Sequence, residues 1–133
     1  MSDSNNTSKH QVVHWSAFTL LFLMMAQPTF DNVRALMTGV MSAGDITIQV
    51  TLSNMVLHVV AMVVGWVGLW WFFKRQKRGA YASIAAHLLG FTAVLTQTPE
   101  MLEIMPPAAI GVFFIVMFAA ALGPIQLFKG EYS

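Results

Sequence analysis

Residues Gly68–Tyr81 read GLWWFFKRQKRGAY, a dense aromatic block that runs straight into four cations and then into small residues. A Lys or Arg at the centre of a bilayer costs ~2.5–3.5 kcal/mol on insertion scales. Lys74, Arg75, Lys77 and Arg78 together would therefore cost on the order of 10 kcal/mol there, so they stay outside the hydrocarbon. Trp66, Trp70 and Trp71 suit the belt just beneath the headgroups, where an amphipathic ring is half dissolved on each side. The stretch marks a membrane boundary, and Lys74–Gly79 is a tight turn between two spans. Contact of Trp70, Trp71, Lys74, Arg75, Lys77 and Arg78 with anionic lipid follows from that position; a specific acidic partner is not required.

Composition agrees. The chain has 133 residues, enough for one domain, and is 56% hydrophobic but only 10% charged. A soluble domain carries about 25% charged residues, so this chain has too few polar groups to coat a water-soluble globule. A net charge of +1 supplies no field for a nucleic-acid partner. The absence of Cys excludes disulfides, thiolate metal sites and thiol catalysis.

Outward from the turn, Ile48 to Phe73 reads as one span and Ala80 to Thr98 as the next. Val12 to Phe30 carries no charge and is long enough to cross a ~30 Å core. A cleaved signal peptide is the rival reading, disfavoured because only Lys9 and His10 are basic before it and Met24 stands where a small residue is wanted. Pro107 to Phe128 is the fourth span. Residues 1–11 are polar and read as a disordered tail, and residues 129–133 as a second short tail. Between the first two spans, Val33, Leu36, Met37, Val40 and Met41 recur with helical period. That predicts a helix over 31–43, lying in the interface or extending the first span. Thr98-Pro99-Glu100 predicts a capped one- or two-turn surface helix.

The expected fold is all-α: an antiparallel four-helix transmembrane bundle over 12–128, with a short interfacial helix between spans one and two. Counting cations places the basic turn, Lys9 and Lys129 on the cytoplasmic side and leaves Arg34 alone outside. Both termini are then cytoplasmic, and a bacterial inner (plasma) membrane is the expected home.

Candidate chemistry is sparse. No Asp, Glu, Lys or Arg lies inside a span, which argues against the intramembrane ionisable residue that proton-coupled transport uses. Glu100 and Glu103 read as solvated loop charges. His58 shares a stripe with Asn54, and Thr96 and Gln97 fall at comparable depth on the third span. These four could form an outward-opening polar pocket for a quinone, lipid or haem, with His58 as donor; simple interhelical hydrogen bonding would use the same residues. With the hairpin apex at Gln76–Lys77, His58 is level with Leu95 and His87 with Trp66. An offset of eight residues, ~12 Å, disfavours the two as axial ligands of one haem. Ser83 and His87 form a further i, i+4 pair.

Met37/Met41 and Met101/Met105 are spaced i, i+4, which puts paired thioethers on one helix face. Soft thioethers suit monovalent copper, although Met also packs where a surface must adapt. Ala61, Gly65 and Gly68 on the second span, and Ala82, Ala86, Gly90 and Ala93 on the third, are small residues spaced for close helix contact. With no catalytic group in view and only small loops, the expected function is a non-enzymatic accessory, assembly or scaffold subunit. It would contact membrane lipids and a protein partner or a second copy, without a resident cofactor. A binding module for quinone, lipid or haem near His58 is the alternative, and outer-face copper handling the second.

Overall fold

The computed structural model describes the backbone of residues 2–133 and the side chains of residues 8–42 and 44–133. Four α-helices carry the fold: α1, Ser2–Thr38; α2, Leu52–Phe73; α3, Lys77–Gln97; and α4, Pro107–Leu127. Among the described residues, α2, α3 and α4 are three helices long and apolar enough to cross a membrane.

α2 and α3 share the most extensive helix interface. The reason is steric: small residues let the backbones meet. A Cβ on Gly68 would lie 2.9 Å from the Ser83 nitrogen, one on Gly65 3.3 Å from Ala86 Cβ, and one on Gly79 would collide with the Phe72 backbone. α1 lies across this pair, with the Met25 thioether in the space that a side chain at Gly65 would need. The packed interior joins Leu21, Leu69, Phe72, Ala121 and Ile125 from α1, α2 and α4. Many large apolar side chains face outward, Val63, Val112 and Ile115 among them. That surface suits lipid rather than water.

The structure corrects four expectations. First, no separate helix covers 31–43; of the two readings, the extension of the first span holds, but only as far as Thr38. α1 continues to Thr38 and ends at Gly39, whose φ of 69° is the left-handed cap that glycine accepts readily. Strands β1, Val40–Ala43, and β2, Ile46–Gln49, then form an antiparallel hairpin around Gly44-Asp45, with Gly44 at φ 58°. A two-residue Gly-Asp loop favours this geometry, and Ile46 and Ile48 alternate with exposed Thr47 and Gln49. Second, the span expected from Ile48 begins at Leu52, because β2 uses its first residues; Thr51 caps it by accepting from the Asn54 N–H at 3.4 Å.

Third, the turn is tighter than Lys74–Gly79. α3 already starts at Lys77, and Arg75 takes φ 57° to reverse the chain. Fourth, neither tail is loose. The backbone is helical from Ser2, Met1 lying outside the described residues. His10 is 1% exposed and Tyr132 3% exposed. The Ser133 N–H donates to the Arg75 carbonyl and the Lys77 N–H donates to the Ser133 carbonyl. His10, the C-terminal residues and the basic turn therefore meet at one pole, and the β-hairpin with the 3-10 turn Pro99–Leu102 forms the other. That 3-10 turn stands where the capped surface helix was expected, and Thr98 makes no side-chain cap bond.

Candidate functional site

A cavity of about 520 Å³ opens between the helices on the hairpin side. α1 supplies Met24, Met25, Pro28, Thr29 and Asn32, α2 supplies His58 and Met62, α3 supplies Ala86, His87 and Gly90, and α4 supplies Phe113 and Phe114. Met41 and Met101 come from β1 and the 3-10 turn, and exposed Asp31, Ser42 and Met105 stand on its rim. Its size lies within the ~300–1,000 Å³ of small-molecule sites, and its wall has their composition: mostly apolar, with a few polar groups.

Two of those polar groups stand out. His58 is 6% exposed and His87 8% exposed, and the Nε2 of each is buried without a hydrogen-bond partner. A buried imidazole nitrogen without a partner costs roughly 1–3 kcal/mol, so a polar ligand atom at either ring is favoured. His87 is also fixed in tautomer. Its Nδ1 lies 2.7 Å from the Ser83 carbonyl oxygen, which can only accept. The proton therefore sits on Nδ1, and Nε2 is a bare lone pair.

Pro28 adds a second acceptor. It lacks the N–H that would bond the Met24 carbonyl four residues back, and the Met24 carbonyl lies beside the His87 ring. Thr29, the next residue, donates to the Met25 carbonyl at 2.7 Å and accepts from Trp66 Nε1 at 3.0 Å. Trp66 is thereby fastened to the cavity wall.

The register of α2 on α3 sets the depth of the two histidines. Gly68 opposes Ser83, Gly65 opposes Ala86, and Ala61 opposes Gly90. His58 is then level with Ala93 and His87 with Val64, six residues from His58, or ~9 Å along the axis. The sequence estimate of eight residues was larger because the turn is centred nearer Arg75. Both rings nevertheless border one cavity.

Of the four residues expected to form a pocket, His58 alone lines it. Asn54 is held locally by Thr51, whose hydroxyl donates to Asn54 Oδ1 at 3.2 Å. Thr96 is exposed and donates to the Thr92 carbonyl. Gln97 is half-buried away from the cavity wall. The methionine pairs divide: Met41, Met101 and Met105 reach the cavity, while Met37 is 82% exposed and does not. With Met24, Met25 and Met62, six of the chain's ten methionines border the one cavity. Among the described residues, no group of three or more His, Asp or Glu side chains is arranged to hold a metal ion. At the opposite pole, Lys74 sits 4.5 Å over Trp70 and Arg78 4.3 Å over Trp71, while Arg75 turns to Glu131 at 3.6 Å.

Sequence reasoning missed a second buried cluster at that pole. His10 and His14, one turn apart, are each 1% exposed. His14 Nδ1 lies 2.6 Å from the Tyr132 hydroxyl, and its ring stacks on Phe72 at 5.3 Å. The i, i+4 spacing of the two histidines was the available signal, but the expected boundary fell between them, with His10 in the tail and His14 in the first span.

No protein-family model matches this chain, and comparison with curated proteins and with solved structures returns no match.

Proposed function

We propose that this protein is a non-enzymatic membrane subunit that holds an apolar ring compound of the quinone class in the cavity between its helices. The observation that supports this reading most strongly is the pair of buried, unpartnered imidazole nitrogens of His58 and His87 on one ligand-sized, apolar wall. A quinone fits both features. Its ring and tail suit the methionines and phenylalanines, and its oxygens suit the histidines. A lipid tail would fill the volume but leave both nitrogens alone. Haem fits worse: its axial ligands approach one iron from opposite faces at similar depth, whereas these two rings sit on one tight hairpin, ~9 Å apart in depth.

In this reading all four helices cross the bilayer, in a bacterial inner membrane, with both termini and the basic turn on the cytoplasmic side. The positive-inside rule supports that orientation, and so does the packing of His10 and the C-terminal residues beside the basic turn. The outward apolar faces of α2 and α4 are free for lipid or for a protein partner.

Tryptophan emission gives the test. Trp66 is tied to the cavity wall through Thr29, so a short-chain quinone titrated into the protein in lipid nanodiscs should quench it saturably. His58→Leu, folded as the parent, should weaken that quenching at least tenfold. Equal quenching in the variant would remove the assignment.

A second reading, monovalent copper, is favoured by the gathering of six methionines on the same wall. Thioethers and a bare imidazole nitrogen are soft enough ligands for it. It predicts stoichiometric Cu(I) uptake that is lost in Met24→Leu/Met101→Leu; a metal-free parent protein under excess Cu(I) removes this reading.

A further inference from the structure

The cavity's polar wall is unbalanced, and the imbalance selects between two forms of one ligand. Near His87 stand two acceptors and no donor. The Nδ1 proton is committed to Ser83 at 2.7 Å, which leaves Nε2 as a lone pair. The Met24 carbonyl beside it has no N–H from Pro28. Neither acceptor can bond the other. Each can accept from a hydroxyl or N–H that a ligand brings. His58 is different: its Nε2 is unpartnered and no bond in the protein fixes its tautomer, so it can donate or accept.

An oxidised quinone offers carbonyl oxygens alone. It could accept from His58, but its other oxygen would face the His87 lone pair and the Met24 carbonyl, like against like. The reduced form carries hydroxyl hydrogens. One hydroxyl can donate to His87 Nε2 or to the Met24 carbonyl while the other exchanges a hydrogen bond with His58. The span is reasonable too. Ring oxygens in para positions are roughly 5 Å apart and each hydrogen bond adds about 2.8 Å. That is of the same order as the ~9 Å difference in depth between His58 and His87.

We propose that the His87–Met24–His58 wall binds the reduced, dihydroxyl form of a quinone-class ligand in preference to the oxidised form, because the groups it presents at His87 and Met24 are acceptors. This rests on the quinone-class reading above and narrows it to one redox state. The preference is one of binding and involves no electron or proton transfer by the protein.

The experiment is an anaerobic titration of the full chain in lipid nanodiscs, followed by tryptophan emission, with a short-chain quinol and in parallel with the matching quinone. The expected result is tenfold or tighter binding of the quinol. A tenfold preference raises the midpoint potential of the bound two-electron couple by about 30 mV over the free couple. His87→Leu should bind the two forms equally. Pro28→Ala guards against a folding artefact: it returns an N–H to the Met24 carbonyl, favours the helix, and should lower the preference without abolishing binding. Equal affinity, or tighter quinone, in the parent protein overturns this inference and leaves the quinone-class reading standing. Binding of neither form overturns both.

Discussion

The Tyr132 hydroxyl lies 2.6 Å from His14 Nδ1, joining positions 118 residues apart in sequence. Around this bond the chain's C-terminal end is held against α1 and the α2–α3 turn. Tyr132 packs edge-on to His10, Glu131 faces Arg75, and Ser133 exchanges backbone bonds with Arg75 and Lys77. Burial is the main cause that pushes the Tyr132 phenol up to about 12, so it stays protonated at any ordinary pH. Tyr132→Phe keeps the ring and removes the hydroxyl. It should lower stability by about 1 kcal/mol. Deleting residues 129–133 should cost clearly more, because the packing and backbone bonds are lost as well. Thermal unfolding in one mild detergent compares the two.

The same pole should be acid-sensitive. Burial, then the positive Arg75, hold His10 below its ordinary 6.5, against an opposing pull from Glu131. A histidine whose folded value is lowered binds fewer protons folded than unfolded, so stability rises with pH across that window. It is fully present above about 6.5 and is lost as pH falls from there toward the folded value. Melting temperature should therefore fall between pH 7.5 and pH 5.5, and His10→Leu should flatten that slope. An unchanged slope in the variant would assign the acid sensitivity elsewhere.

Glycines along the α2–α3 seam should not respond alike to alanine. At Gly79 the new Cβ would strike the Phe72 backbone, and at Gly68 it would lie 2.9 Å from the Ser83 nitrogen; neither neighbour can move cheaply. Each substitution should cost about 1–3 kcal/mol or prevent assembly. At Gly65 the obstruction is the flexible end of Met25, so the cost should be smaller. Gly90→Ala meets only Ala61 Cβ at 3.9 Å and should stabilise by about 0.5–1 kcal/mol, because the helix gains a better former. Denaturation of the four variants gives the ranking.

Met37 and Met101 separate packing from ligand contact. Met37 is exposed and away from the cavity, so Met37→Leu should leave both stability and ligand binding unchanged. Met101 lines the cavity and packs beside Ala35, Met41 and Met55 under the hairpin. Met101→Ala should destabilise by about 1–2 kcal/mol, since the side chain is only half-buried, and weaken binding. Met101→Leu should retain most of the stability.

The long apolar runs and the cations of 74–78 made most of this architecture legible, since hydropathy and charge cost act locally. The small-residue faces were legible for the same reason: Ala61, Gly65 and Gly68 do meet α3. The hairpin was lost because helical spacing at Val33–Met41 outweighed the Gly44-Asp45 turn and the alternation of ITIQ. The pocket was half legible. His58 has a buried position that polarity and depth suggested, but Asn54 and Thr96 spend their polar groups on their own helix, where a sequence wheel cannot see them. His87 was weighed with His58 as a haem ligand and with Ser83 as an i, i+4 pair, but its shared cavity with His58 depends on how α1 and α4 close over the hairpin. The Met24 carbonyl could be read from Pro28 alone, once its neighbour across the helices was known.

The most direct test is native mass spectrometry of the protein released from its own membranes in mild detergent, beside His58→Leu/His87→Leu prepared in the same way. The account predicts a stoichiometric bound small molecule of quinone-class mass on the parent chain, absent from the variant while the protein mass and fold are retained. A parent chain that carries no small molecule, or one that the folded double variant keeps in full, would contradict it.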